Sequence, residues 1–299
     1  MSSLASSPAT SAPSASERVL ARHRRRLLGN RLYALLCLLA FLVVVLPLAD
    51  IIWMAVARGG RAVSWELFSQ VTNGISGGLL NAIEGTLVLS LGSLVFAAPI
   101  GVLTGIYLAE FGNGRWGRMV RFLADVLTGV PSIVLGYFSY VTLVIGLGWQ
   151  FSALAGAITL AIMITPYIAR FAELAMRQNP SSLREAAYAL GCSEAQVTMK
   201  VLLPAARSGV LTGVLISLAM SVGETAPLLY TAGWSNYLWS GHMVKEPIGY
   251  LTYVIWSFIN QPFASAHALA YAAAFLVVAM VLLINIAARL LLTRAQRVA

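Results

Sequence analysis

Six apolar stretches divide this chain, at 32–57, 79–109, 122–147, 151–169, 210–230 and 268–288. Each is long enough, or nearly so, to cross about 30 Å of hydrocarbon, which needs about 20 residues of α-helix. Inside lipid a backbone must satisfy its own hydrogen bonds, so repeated apolar runs of this length restrict the fold to a helical bundle. Composition agrees: 59% of the 299 residues are hydrophobic and only 10% are charged, with a mean hydropathy of +0.81. A soluble domain carries about 25% charged residues, so lipid has to cover most of this surface. The expected fold class is an all-α membrane protein with six transmembrane helices.

Charge fixes the direction of the spans. With the N-terminus inside, 17 of the 20 Lys and Arg residues fall on the cytoplasmic side, and only Arg58, Arg61 and Lys245 lie outside. The positive-inside rule therefore assigns both termini to the cytoplasm. The net charge of +9 is topological and gives no reason to invoke nucleic acid, because the arginines sit at the ends of apolar runs. Residues 1–16 are rich in Ser, Ala and Pro, and the whole tail 1–29 is expected as a disordered basic cytoplasmic extension of a permease domain at 30–299. The first apolar run exceeds the 7–15 residues of a signal-peptide core and reads as a retained anchor. Cys37 and Cys192 lie in separate environments without metal-ligand spacing and are expected as free thiols.

Two polar segments interrupt the spans. The outer loop 231–267 is aromatic, with Trp234, Tyr237, Trp239, Tyr250, Tyr253 and Trp256. Its apolar piece 248–259 is too short to span and is expected as an interfacial or re-entrant helix with rings at headgroup level. The cytoplasmic loop 178–208 is longer than a simple connection needs. Ser182 and Glu185 have capping-box spacing, as do Ser193 and Gln196. Gly191 stands where a left-handed cap would end the first helix, and Pro204 is expected to stop the second. Two short helices joined by a glycine bend follow, forming an elbow that would turn a push on its surface into rotation of the adjoining spans.

The full spacing of that loop is Glu185-Ala186-Ala187, three residues, Gly191, nine residues, Val201, one residue, then Leu203-Pro204. It resembles the Glu-Ala-Ala loop of ABC importer membrane subunits. The segments 105–110 (Gly-Ile-Tyr-Leu-Ala-Glu), 127–136 (Leu-Thr-Gly-Val-Pro-Ser-Ile-Val-Leu-Gly) and 223–229 (Gly-Glu-Thr-Ala-Pro-Leu-Leu) stand in order along the chain. Together with the loop they resemble the PstA-type permease family of phosphate importers over about residues 79–230. The resemblance implies a type I ABC importer permease fold. Glu185, Ala186, Ala187, Gly191, Leu203 and Pro204 would then contact an ATPase or shape the elbow. It implies a homologous PstC-type permease, two ATPase subunits and an external phosphate-binding protein as partners. The chain lacks Gly-x-x-x-x-Gly-Lys-Ser/Thr, and neither Lys200 nor Lys245 lies in a glycine-rich phosphate loop. ATP and Mg²⁺ are therefore expected on the partner ATPase, with no cofactor on this chain.

A charge at the centre of a membrane helix costs roughly 2.5–3.5 kcal/mol, so buried ionisable residues need a reason. Glu224 lies in the outer half of the fifth span beside Pro227 and is expected as an ion-paired latch or a carboxylate that holds a kink. Arg170 follows Thr165-Pro166-Tyr167 at the inner end of the fourth span. It serves as a topological anchor or, through its planar donor fork, as a contact for phosphate leaving the membrane. Ser132 and Thr225 can offer hydroxyls to an anion or act as packing residues. Asp125 is expected to pair with Arg121 at i−4, and Asp50 and Glu84 to be hydrated. The Gly77-Gly78, Gly101–Gly105 and Gly209–Gly213 pairs read as close-packing faces. Another oxyanion as cargo, or a secondary transporter without an ATPase, remain the alternative readings.

Overall fold

The computed structural model describes residues 15–297, with side chains described at 26 and over 29–290. Residues 1–14, about half of the expected disordered tail, lie outside the described residues. The chain forms two compact units, 1–53 and 54–299. The described part of the first is the helix α1 (Ala15–Met54), which carries the first apolar run with Pro47 inside it. Residues 15–29 are therefore helical, where a disordered tail was expected.

The second unit opens with a π-helical turn at Ala55–Gly59 and a two-residue hairpin, β1 (Thr72–Asn73) and β2 (Ser76–Gly77), with Thr72 opposite Gly77. Among the described residues nine longer helices follow, besides the single turn Glu194–Gln196. They are α2 (Leu80–Glu110), α3 (Arg115–Gly129), α4 (Ser132–Ser139), α5 (Ala153–Arg177) and α6 (Ser181–Ala189), then α7 (Leu203–Gly223), α8 (Ala226–Thr231), α9 (Leu251–Phe258) and α10 (Ala264–Arg297). Among the described residues five helices are long and apolar enough to cross a membrane, or six if the bent third pair counts as one. That third span is not straight: α3 and the continuation of α4 through the π-helical turn Tyr140–Gly146 meet at 99°. Val130 and Pro131 are extended at the joint, because proline lacks the N–H and disfavours a helical residue before it. The fifth span breaks as well, between Gly223 and Ala226.

Helix α5 is the centre of the unit. It packs on α2 along one side and on α7 along another, and both contacts run through glycines. A Cβ on Gly101 would lie 2.7 Å from that of Ile168, and one on Gly105 would lie 2.5 Å from that of Ala172. Gly209 and Gly213 approach Ala175 and Phe171 in the same way. In lipid the hydrophobic effect does not drive helices together, so small residues that allow backbones to approach supply the dispersion contacts that do. The expected packing faces at 101–105 and 209–213 are these contacts.

The outer aromatic loop is mostly core. Tyr250 and Leu251 are buried, and α9 joins Leu79, Ala82, Leu269 and Ala273 in one apolar cluster. The Leu251 N–H donates to Thr86 Oγ1 at 2.9 Å, and Gly249 lies against Gly85. Trp234 stacks on Tyr253 with centroids 4.6 Å apart. Of the six aromatic side chains named above, Tyr237 and Trp256 are exposed. Helix α9 is a short helix, as the length of the apolar piece led one to expect, and most of the segment's rings are packed against protein. Glu84, expected to be hydrated, is half-buried and accepts the Trp239 N–H at 3.2 Å. Arg58 donates to Tyr271 of α10 at 2.9 Å and lies over its ring.

Candidate functional site

The cytoplasmic elbow is built by local rules. Helix α6 starts after Pro180, whose fixed φ of −60° sets the entry, and Ser182 makes no cap. The expected Ser182–Glu185 box is absent because the helix begins at Ser181. That places Ser182 inside the first turn rather than at the capping position. The C-terminal end is as expected: Gly191 has φ 77°, its N–H donates to the Tyr188 carbonyl, and Cys192 N–H reaches back to Ala187. That pair of bonds is a Schellman ending, which favours glycine at the left-handed residue. Among the described residues nothing beyond its chain neighbours lies within 4 Å of a Cβ built there, so conformation rather than space demands the glycine. The second capping box is complete, with Ser193 and Gln196 bonded reciprocally.

Pro204 does not stop the second helix. A π-helical turn at Val197–Leu202 precedes it, and the helix runs on, giving one continuous segment Glu194–Gly223. The missing N–H falls in the first turn of α7, where the wider ladder has already changed register. Glu185, Ala186, Gly191 and Pro204 are exposed, whereas Ala187 is buried and Leu203 half-buried. Ala187 packs with Val197, Leu202, Ile106 and Met176. The six residues thus divide into an outward surface, extended by Leu190 at 84% exposure, and an apolar seat that holds it.

Beside the elbow lies a cluster of ion pairs. Arg184 of α6 grips Glu110, the last residue of α2, through two bonds of 2.6 and 2.8 Å. The charge-assisted bond to that carboxylate raises the Arg184 pKa, keeping the guanidinium charged. Glu173 of α5, with a side chain 3% exposed, receives Arg121 at 2.8 Å, Arg177 at 3.0 Å and Arg170 at 3.5 Å. Arg121 also donates to the carbonyls of Gly112 and Leu108, each at 2.7 Å. The expected Arg121–Asp125 pair is therefore not formed. Arg121 turns to the buried carboxylate and free carbonyls that end α2, and Asp125 lies 3.7 Å from Arg170. A cavity of about 230 Å³, lined by Arg121, Asp125, Pro166, Tyr167, Arg170 and Glu173, opens beside this cluster.

Glu224, Thr225 and Ser132 occupy a different place. Gly136 of α4 abuts Pro227 of α8, so the two broken spans pack against one another. Ser132 opens α4 and is half-buried, and Thr225 precedes α8 without capping it. The Glu224 carbonyl accepts from Thr252 Oγ1 at 2.7 Å, which ties the break in the fifth span to α9. Among the described residues no cation pairs with the Glu224 carboxylate. Arg170 is engaged elsewhere, as depth along the spans requires. Sequence reasoning missed the hub at Glu173, though its signal was present: Arg170 and Arg177 flank it at i−3 and i+4. The Glu110–Arg184 pair, 74 residues apart, left no such trace.

The family model described as "Binding-protein-dependent transport system inner membrane component" matches residues 101–297. The chain belongs to that family. It is 44% identical over 270 residues to the phosphate transport system permease protein PstA 2 of Mycobacterium bovis, covering 89% of each chain. It is 40% identical to the PstA protein of Yersinia pestis, over 89% of this chain and 91% of that one. The PstA protein of Haemophilus influenzae is 42% identical over 84% of this chain and 90% of its own length. A chain of the inward-facing MetNI methionine ABC transporter superposes with a TM-score of 0.60 at 22% identity, covering 78% of this chain and 99% of that one. The fold is that of a type I ABC importer permease, and the chain is a multi-pass inner-membrane transport subunit. Membership brings an ATPase and a substrate-binding protein as partners.

Proposed function

We propose that this chain carries inorganic phosphate into the cytoplasm as one permease of an ATP-driven importer. The observation that carries the reading is the 44% identity, over 89% of each chain, to a protein named as a phosphate permease. A homologous PstC-type permease forms the other half, and two ATPase subunits drive the pair. A phosphate-binding protein delivers cargo at the outer face. This chain is non-catalytic: ATP and Mg²⁺ reside on the ATPase, which seats against Glu185, Ala186, Gly191 and Pro204. Their exposure beside a rigid glycine-ended bend supports that assignment.

Ser132, Glu224 and Thr225 serve as the gate, where two broken spans meet, with the cation that answers Glu224 supplied by the sister permease. Arg170 meets phosphate at the inner end. Its contacts at 3.5 and 3.7 Å are long enough to yield to an oxyanion, and its side chain is 52% exposed. Labelled-phosphate uptake by the reconstituted complex tests the reading, with and without ATP and with sulfate as competitor. Uptake that needs ATP and resists sulfate is expected; uptake of sulfate in preference to phosphate refutes the choice of cargo.

A further inference from the structure

The elbow is covalently continuous with α5 and α7 alone. We propose that Glu110 and Arg184 are positioning residues that fasten it to α2, so that displacement of the loop moves a third, sequence-distant helix of the bundle. The inference rests on the reading of the loop as an ATPase-facing surface.

Both oxygens of Glu110 are engaged by both terminal nitrogens of Arg184, at 2.6 and 2.8 Å. A planar fork on a carboxylate fixes direction as well as distance. The Glu110 side chain is 2% exposed and has little water to turn to, whereas Arg184 is 37% exposed. The Asn179–Leu202 bond at 3.0 Å closes the loop on itself, and the contacts of α6 with α2 other than this ion pair are apolar and lack its directionality. Leu183 and Ala187 rest on Ile106, Ala109 and Met176, an apolar seat that resists lifting but not turning. The ion pair supplies the missing constraint against rotation.

The end of α2 is also where other elements converge. The Leu108 carbonyl accepts from Arg121 of α3 at 2.7 Å and from Arg177 of α5 at 3.3 Å. Arg121 reaches on to Gly112, and Glu173 joins both arginines. Residues 108–112 are thus held by α3, α5 and α6 together. A turn of α6 reaches α2 through Arg184, and from there reaches α5 through the close contacts at Gly101 and Gly105.

The test uses the complete transporter in liposomes, with uptake and ATP hydrolysis read on the same samples. A photo-cross-linker at position 186 reports contact with the ATPase. In Glu110→Gln and in Arg184→Lys, assembly and the cross-link should persist while phosphate carried per ATP falls between about twofold and thirtyfold. The exchanged double variant Glu110→Arg/Arg184→Glu should recover part of that loss. Wild-type ratios in both single variants overturn the proposal, as does a fall explained by loss of assembly. A missing cross-link in the unaltered complex would instead remove the reading of the loop itself.

Discussion

Replacing Gly105 by alanine adds one methyl group at the tightest part of the α2–α5 contact. That methyl would stand 2.5 Å from the Ala172 Cβ, 2.6 Å from the Ala169 carbonyl oxygen and 2.9 Å from the Glu173 nitrogen. Carbon atoms rest at about 3.5–4.0 Å, so the helices must separate by about 1 Å. Two of the three neighbours are backbone atoms, so a side-chain rotation cannot relieve the clash. Overpacking of this kind costs about 1–3 kcal/mol, and alanine returns about 0.5–1 kcal/mol of helix propensity. The net expectation is a destabilisation of up to about 2.5 kcal/mol. Gly29→Ala, in α1 with no described residue outside its own helix backbone within 4 Å, keeps the propensity gain without the clash and should be neutral or slightly stabilising. Loss of monodisperse protein on heating in detergent compares the two. A Gly105→Ala protein as heat-resistant as the Gly29→Ala control would refute the claim that backbone proximity sets this interface.

Gly191→Ala forces a left-handed conformation on a residue with a Cβ, costing about 1–2 kcal/mol, and should lower ATP-coupled uptake, with Gly191→Asn milder than alanine. Glu173→Gln removes the carboxylate shared by Arg121, Arg170 and Arg177. Its cost should fall below the roughly 3–5 kcal/mol of a fully buried pair, because Arg170 and Arg177 are about half exposed; thermal unfolding in detergent measures it. In the outer loop, hydrogen bonding from Ser240 lowers the Glu246 pKa, with His242 adding to the effect. A depressed carboxyl pKa contributes stability that is present above the unfolded value of about 4.3 and is lost as pH falls through the folded value. Hydrogen exchange around 240–246 should therefore rise in acid, and Ser240→Ala should move that rise to higher pH.

The spans were legible because each is a long apolar run, a signal summed over some twenty residues. The elbow was legible for a different reason: a Schellman glycine and the Ser193–Gln196 box are local motifs whose partners lie within five residues. Pro204 misled because a proline reads as a stop unless the preceding turn has widened, and nothing in 197–202 advertises a π-helix. Ser182 misled because the start of α6 is set by Pro180, one of two competing entry signals only two residues apart. Arg121 could not be paired from sequence: Asp125 was near in the chain, but Glu173 was buried and close in space. The packing of the aromatic loop was not legible because composition cannot tell a lipid-facing ring from one stacked on a neighbour, as Trp234 is on Tyr253.

The sharp joint after Gly129 limits how the bilayer can meet this flank of the subunit. From Ser132 to Gly146 there are fifteen residues, at most about 22 Å of vertical rise, against about 30 Å of hydrocarbon. The 99° turn sets α3 nearly crosswise to α4, so with α4 along the membrane normal α3 would add little height. An unperturbed membrane would overhang this edge by about 8 Å, so acyl chains along it must be pinched short or replaced by another protein.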